Sequence, residues 1–178
     1  MPDAPPFPER SIVLVGLMGV GKSTVGRRLA RRLGLPFVDS DEEIERAADH
    51  EIREIFDRFG EASFRDGERR VLRRLIEGER KVIATGGGAF MDKETRALIL
   101  DRCVAVWLEA GIETLAERVA QRGHRPLLVG RDPLPFLSEL AEVRNPVYAE
   151  AHLRVRSEAG PHERTVDRIL EALAERTR

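Results

Sequence analysis

The feature that most restricts this chain is Gly16-Leu17-Met18-Gly19-Val20-Gly21-Lys22-Ser23, a match to G-x4-G-K-[ST]. It follows a continuous apolar run from Ile12, the pattern of a strand buried on both faces. Apolar residues at helical spacing come after it (Val25, Leu29, Leu33), and Gly34 closes them. Strand, glycine-rich turn and helix are the setting such a loop needs. Glycines let successive backbone N–H groups converge on phosphate oxygens, and the helix N-terminus adds its positive end. Gly19, Val20 and Gly21 supply backbone, Lys22 can reach β- and γ-phosphates, Ser23 can ligate Mg²⁺, and Thr24 completes the expected ATP-binding set. Lys22 is one of only three lysines among thirty basic residues, the rest being arginine. A lysine here, in a chain otherwise written in arginine, points to a chemical task.

The same alternation continues. Strands are expected at Pro36 to Val38, Val82 to Thr85, Val104 to Leu108 and Leu153 to Val155. Between them the spacing predicts one or two short helices over Ile44 to Phe59, and longer helices over Glu61 to Glu77, Lys93 to Leu100 and Ile112 to Gln121. Further helices are expected from about Phe136 to Arg144 and from Glu163 to Ala174. Ser40 with Glu43 reads as a capping box. Arg122 to Pro135 breaks into Gly, Pro and Arg. Strand–helix alternation implies α/β architecture with parallel strands under right-handed crossovers. At 178 residues a single domain is expected over residues 11–178, behind a proline-rich flexible tail over residues 1–10.

Composition excludes several classes. A net charge of −1 argues against a nucleic-acid or anionic-membrane binder. No uncharged stretch is long enough to span a bilayer, and no secretory signal pattern precedes Ile12, so a cytoplasmic location is expected. Cys103, the sole cysteine, sits in an apolar run and reads as a small buried hydrophobe.

The remaining candidates lie past the ends of later strands. Asp39-Ser40-Asp41 could place one carboxylate near Mg²⁺ and one where it takes a proton, or could form an Asx-turn and helix cap. Gly86-Gly87-Gly88 suggests backbone brought close to a ligand. Arg65, in Phe64-Arg65-Asp66-Gly67-Glu68, could equally be a surface arginine paired with Glu68 or Glu61. Gly67, inside that helix, costs roughly 1 kcal/mol against alanine, with close packing as the expected reason.

Together these segments, with Arg125-Pro126-Leu127-Leu128 and Arg144-Asn145-Pro146-Val147-Tyr148, resemble the shikimate kinases, small P-loop kinases related in fold to the nucleoside monophosphate kinases. The resemblance implies a three-layer P-loop kinase fold with a five-stranded parallel sheet. It places a helical acceptor-binding region at about residues 39–68 and a lid at about 122–135. It implies a monomer that uses MgATP to phosphorylate the 3-hydroxyl of shikimate. In that family's pattern Asp41 matches the residue that receives the hydroxyl proton, and Asp39 the partner of the Mg²⁺ held by Ser23. Arg65 and Arg144 match the carboxylate clamp, beside the backbone of Gly86, Gly87 and Gly88. Arg125 matches the lid arginine that meets the transferring phosphate. Arg118 and Arg122 both fit the spacing of the adenine-stacking arginine, and Ser157 to His162 is the expected adenine loop.

Physical chemistry favours the same assignment. A small polyol with one carboxylate is best held by a planar cationic fork, which guanidinium supplies better than ammonium. Gluconate and nucleoside monophosphates are the competing acceptors. A nucleotide-gated signalling module is a third reading, weakened because no Asn-Lys-x-Asp stretch occurs.

Overall fold

The computed structural model describes residues 9–122 and 130–177. The expected lid arginine, Arg125, and most of the expected tail and lid segments lie outside these residues.

Five parallel strands form one sheet: β1 (Ile12–Val15), β2 (Phe37–Asp39), β3 (Val82–Ala84), β4 (Val104–Glu109) and β5 (Leu153–Arg156). Their spatial order is β2-β3-β1-β4-β5. Central β1 is buried along its whole length, as its unbroken apolar sequence requires. Helices α1 (Lys22–Leu33), α2 (Ser40–Ala48), α3 (Ile52–Glu77), α4 (Lys93–Arg102), α5 (Ile112–Gln121), α6 (Pro133–Tyr148) and α7 (His162–Arg176) connect and cover the strands. A short 3₁₀ turn, Ala89–Met91, precedes α4. From β1 the chain moves outward to β2, whereas from β3 it moves the other way, over β1 to β4. Right-handed crossovers therefore put α1 on one face, packed with α7, and α3 with α4 on the other. The directions diverge between β1 and β3, and ligands of open α/β sheets bind outside the carboxyl ends of strands at such a point.

Several local expectations change. The cap of α2 is Asp39, not Ser40: the Asp39 carboxylate accepts from the N–H groups of Asp41 and Glu42. Ser40 is the first helical residue and fully buried, so its hydroxyl is not available for capping. The expected division into short helices followed by Glu61 to Glu77 holds: α2 ends at Ala48, and α3 breaks at Gly60 (φ 83°), where two helices meet at a kink. Helix α6 starts earlier and ends later than expected. Asp132 caps it, Pro133 takes the first turn where a missing N–H costs nothing, and Pro146 lies inside it. Lys81 is buried, its ammonium donating to the carbonyls of Leu75 and Glu79 at the C-terminal end of α3. Cys103 is buried as expected, and burial pushes its thiol up to about 11. Among the described residues no helix is long and apolar enough to cross a membrane.

Candidate active site

The two loops at the divergence point are tied together. Thr85, buried at the end of β3, donates through both its N–H (3.2 Å) and its hydroxyl (2.8 Å) to the carbonyl of Leu14 in β1. This fixes Gly86-Gly87-Gly88 beside Gly16 to Ser23. Between them lies a cavity of about 130 Å³ lined by Met18, Gly19, Gly21, Lys22, Ser23, Thr24, Asp39, Asp41, Thr85, Gly86, Gly87 and Arg122. A larger cavity of about 510 Å³ lies between α2 and α3, but Ile44, Ile55, Phe59, Phe64 and Val71 line it and no carboxylate does. Its charged lining is Arg70 and Arg74 alone, whereas the smaller one brings acids and bases together.

Its floor is the phosphate loop. Gly21 adopts φ +94°, a left-handed conformation that a side chain would resist, as it delivers the chain into α1. The Lys22 ammonium donates to the carbonyls of Gly16 (2.6 Å) and Leu17 (3.1 Å). Val20 contributes no side chain to the cavity, because it is fully buried beneath the loop. The Ser23 hydroxyl donates to Asp39 Oδ2 at 2.5 Å, while Oδ1 of the same carboxylate accepts from the Asp41 N–H at 2.9 Å. Asp39 is thus a helix cap and the partner of Ser23 at once.

The side facing β3 is set by three glycines in a row. A Cβ at Gly86 would stand 2.5 Å from Asp41 Oδ1; one at Gly87, 3.0 Å from Arg144 Nη1; one at Gly88, 2.6 Å from Arg65 Nη2. Side chains from α2, α6 and α3 therefore meet on consecutive residues of one loop. Any larger residue in that loop would displace them. Arg65 also donates to Glu68 Oε1 (2.8 Å), and Glu61 lies 3.9 Å away. Glu68 is only 2% exposed, and its burial raises its pKa against the opposing pull of Arg65. Arg65 is thus ion-paired, as one sequence reading had it, and its guanidinium also stands against Gly88 at the cavity loop.

The Asp41 carboxyl is raised to about 6, first by burial, then by the negative charges of Asp39 and Glu68, with Lys22 opposing. A carboxylate so poised is a competent proton acceptor near neutrality. Spacing left Arg118 and Arg122 undivided, but their positions separate them. Arg122 lines the phosphate cavity. Arg118 lies outside it and donates to the carbonyls of Gly19 (3.4 Å), Val20 (3.3 Å) and Glu158 (3.3 Å), bridging the phosphate loop to the segment after β5. Thr85 had no motif to mark it as part of the site; Met18 was read only as a filler of the phosphate loop, and His162, read only as the end of the expected adenine loop, packs so that a Cβ on Gly21 would lie 3.2 Å from its ring.

The comparisons with known proteins agree with this geometry. The family model described as "Shikimate kinase" matches residues 18–174. A shikimate kinase of Zymomonas mobilis is 58% identical over 168 residues, covering 94% of this chain and 95% of the relative. A solved shikimate kinase from Acinetobacter baumannii, in complex with shikimate, superposes with a TM-score of 0.89 at 38% identity, covering 94% of each chain. A gluconokinase from Sinorhizobium meliloti shares the fold, with a TM-score of 0.62 at 22% identity over 95% of this chain and 94% of its own. On a family model and relatives that span nearly its whole length, the chain belongs to the shikimate kinase family.

Proposed function

We infer that this chain transfers the γ-phosphoryl group of ATP to the 3-hydroxyl of shikimate, giving shikimate 3-phosphate and ADP in aromatic amino-acid biosynthesis. The observation that carries the reading is the glycine run, where one carboxylate and two guanidinium groups stand against three successive residues beside a phosphate loop. A carboxylate-bearing polyol needs that combination, and gluconate offers no rigid ring to span it.

In this mechanism Arg65 and Arg144 grip the acceptor carboxylate, and the backbone of Gly86, Gly87 and Gly88 lines its bed. Glu68 holds Arg65 in place from a buried position. The 3-hydroxyl is then directed at Asp41. As its oxygen bonds to the γ-phosphorus, the bond from that phosphorus to the β–γ bridging oxygen breaks, ADP departs, and the hydroxyl proton passes to Asp41. Backbone N–H groups of Gly19, Val20 and Gly21 cradle the phosphates, and Lys22 takes up the charge that develops on them. Thr24 lies at the start of α1 beside the same phosphates. Arg122 adds charge at the mouth of the cavity, and Arg118 braces the base side of the nucleotide together with the segment Ser157 to His162. Arg125, outside the described residues, is assigned to the transferring phosphate on its motif alone.

The donor set fits Mg²⁺. Among the described residues no group of three or more His, Cys, Asp or Glu side chains could cage a metal by itself. The Ser23 hydroxyl and Asp39 carboxylate are hard oxygen donors 2.5 Å apart on the cavity wall. An ion held by few protein oxygens and completed by phosphate and water is the habit of Mg²⁺. Ser23 would hold it directly and Asp39 from behind. When bound, Mg²⁺ neutralises charge on the β- and γ-phosphate oxygens.

The test is ADP release measured with shikimate, gluconate and a nucleoside monophosphate in turn. Turnover only with shikimate is expected. Faster turnover with either alternative would overturn the acceptor assignment, and nucleotide binding without any acceptor-dependent turnover would overturn the kinase itself.

A further inference from the structure

Tyr148 has no part in the chemistry described so far. It is the only tyrosine in the chain and its side chain is 0% exposed. Its ring lies between Phe90, at a centroid distance of 6.3 Å, and Trp107, at 6.0 Å. Packing alone would be served by phenylalanine, so the hydroxyl needs its own explanation. That hydroxyl donates to the carbonyl oxygen of Gly87. Arg144 lies one helical turn back on α6, so its guanidinium and the phenol share one side of that helix. Arg144 in turn stands beside Gly87, closing a triangle of helix, side chain and loop. Burial pushes the phenol up to about 12, so the group remains a donor throughout the working pH range.

We propose that Tyr148 is a positioning residue for the acceptor, its hydroxyl locking the Arg144 guanidinium and the Gly87 backbone into one unit before shikimate arrives. The inference rests on the reading of Arg144 as a carboxylate grip. A long arginine side chain otherwise loses rotamer freedom when it binds, and fixing it in advance removes that cost from the affinity.

Tyr148→Phe removes the hydroxyl and keeps the ring. Its KM for shikimate is expected to rise about tenfold, the usual consequence of leaving a buried carbonyl without its donor. The KM for ATP should stay within about twofold, since uniform binding of the other substrate is untouched. Arg144→Ala separates this idea from its premise. If Arg144→Ala leaves the shikimate KM unchanged, the grip itself is wrong; if it raises KM while Tyr148→Phe does not, only the positioning role is lost. Adding Tyr148→Phe to Arg144→Ala should cost nothing further, because the hydroxyl acts through that arginine. An additive increase overturns the proposal. A second readout avoids any folding loss in the variant. Because Tyr148 is the sole tyrosine, growth on 3-fluorotyrosine labels it alone, and its ¹⁹F resonance should shift as the wild-type chain is saturated with shikimate. A resonance indifferent to shikimate overturns the proposal as well.

Discussion

On the proposed function, the phosphate half and the acceptor half of this site are built in opposite ways. The phosphate half comes from one uninterrupted stretch, Gly16 to Thr24, in which backbone does most of the work and two side chains finish it. The acceptor half comes from four separated elements. Asp41 enters from α2, Arg65 from α3, Arg144 from α6, and the loop after β3 receives them all. A backbone cradle tolerates changes in its side chains, whereas a meeting of side chains depends on every element being placed. The difference explains how one phosphate loop serves kinases with many acceptors, and it implies that acceptor-side substitutions act on KM for shikimate while phosphate binding survives.

Asp41→Asn is the strongest way to break this division. It should depress turnover by roughly 10²–10⁴-fold through loss of the proton acceptor, while ATP binding, measured by titration calorimetry, stays near wild type. Near-normal turnover would remove Asp41 from its role. The same variant should unfold at a higher temperature than wild type at pH 7 to 8. The folded chain holds the Asp41 proton up to about pH 6 against an ordinary value of 3.8, so this group favours folding in acid. That contribution is lost as pH rises through the folded value, and an amide has no charge to bury. Activity and stability are expected to move in opposite directions at this residue.

A smaller effect is expected where the acceptor half is crowded rather than charged. In Gly88→Ala a methyl would sit 2.6 Å from Arg65 Nη2 and 2.8 Å from Nη1. The guanidinium must swing aside, and its bond to Glu68 hinders a new position. A rise in the shikimate KM of about tenfold is expected, the cost of one weakened charge-assisted contact, with the KM for ATP unchanged. Equal rises in both constants would mean that the loop, not the clamp, had been disturbed. Milder still is the response to acid. Turnover should fall as pH drops through about 6, because Asp41 becomes protonated there. The fall should approach about tenfold per pH unit below that point. An inflection at the ordinary aspartate value would mean that Asp41 is not the group that titrates.

The contrast also decides what was legible in the sequence. The phosphate loop was, because its spacing, its flanking periodicities and its lysine are all local. So were the strands and most helices, since an unbroken apolar run and a 3.6-residue period are local too. Asp39 was legible only as a choice between a cap and a metal partner, and the fold gives one of its oxygens to the cap and the other to the Ser23 hydroxyl. The burial of Glu68, the triangle at Tyr148 and the separation of Arg118 from Arg122 were not legible. Each depends on elements tens of residues apart, and no local period records what a crossover brings alongside. Helix α6 was cut short for a different reason. Its prolines read as breakers, although Pro133 sits in the first turn, where helices accept it.

Gly67 marks the lower limit of the comparison. Next to Glu68 and two residues from Arg65 on α3, it was expected to be small for close packing, yet a Cβ there would meet nothing within 4 Å. It borders the cavity of about 510 Å³ between α2 and α3, not the one that Lys22 and Asp41 line. Its backbone is helical, so alanine fits without strain and restricts the unfolded chain. Gly67→Ala should therefore stabilise the fold by roughly 1 kcal/mol, raising Tm by about 2–4 °C for a domain of this size. Both KM values should stay put. The same added methyl is thus expected to impair acceptor binding at Gly88 and to strengthen the fold at Gly67, because only one of these glycines has a side chain pressed against it. If Gly67→Ala raises the shikimate KM as Gly88→Ala does, α3 must close toward the acceptor loop during turnover, and the boundary of the acceptor half must be drawn to include it.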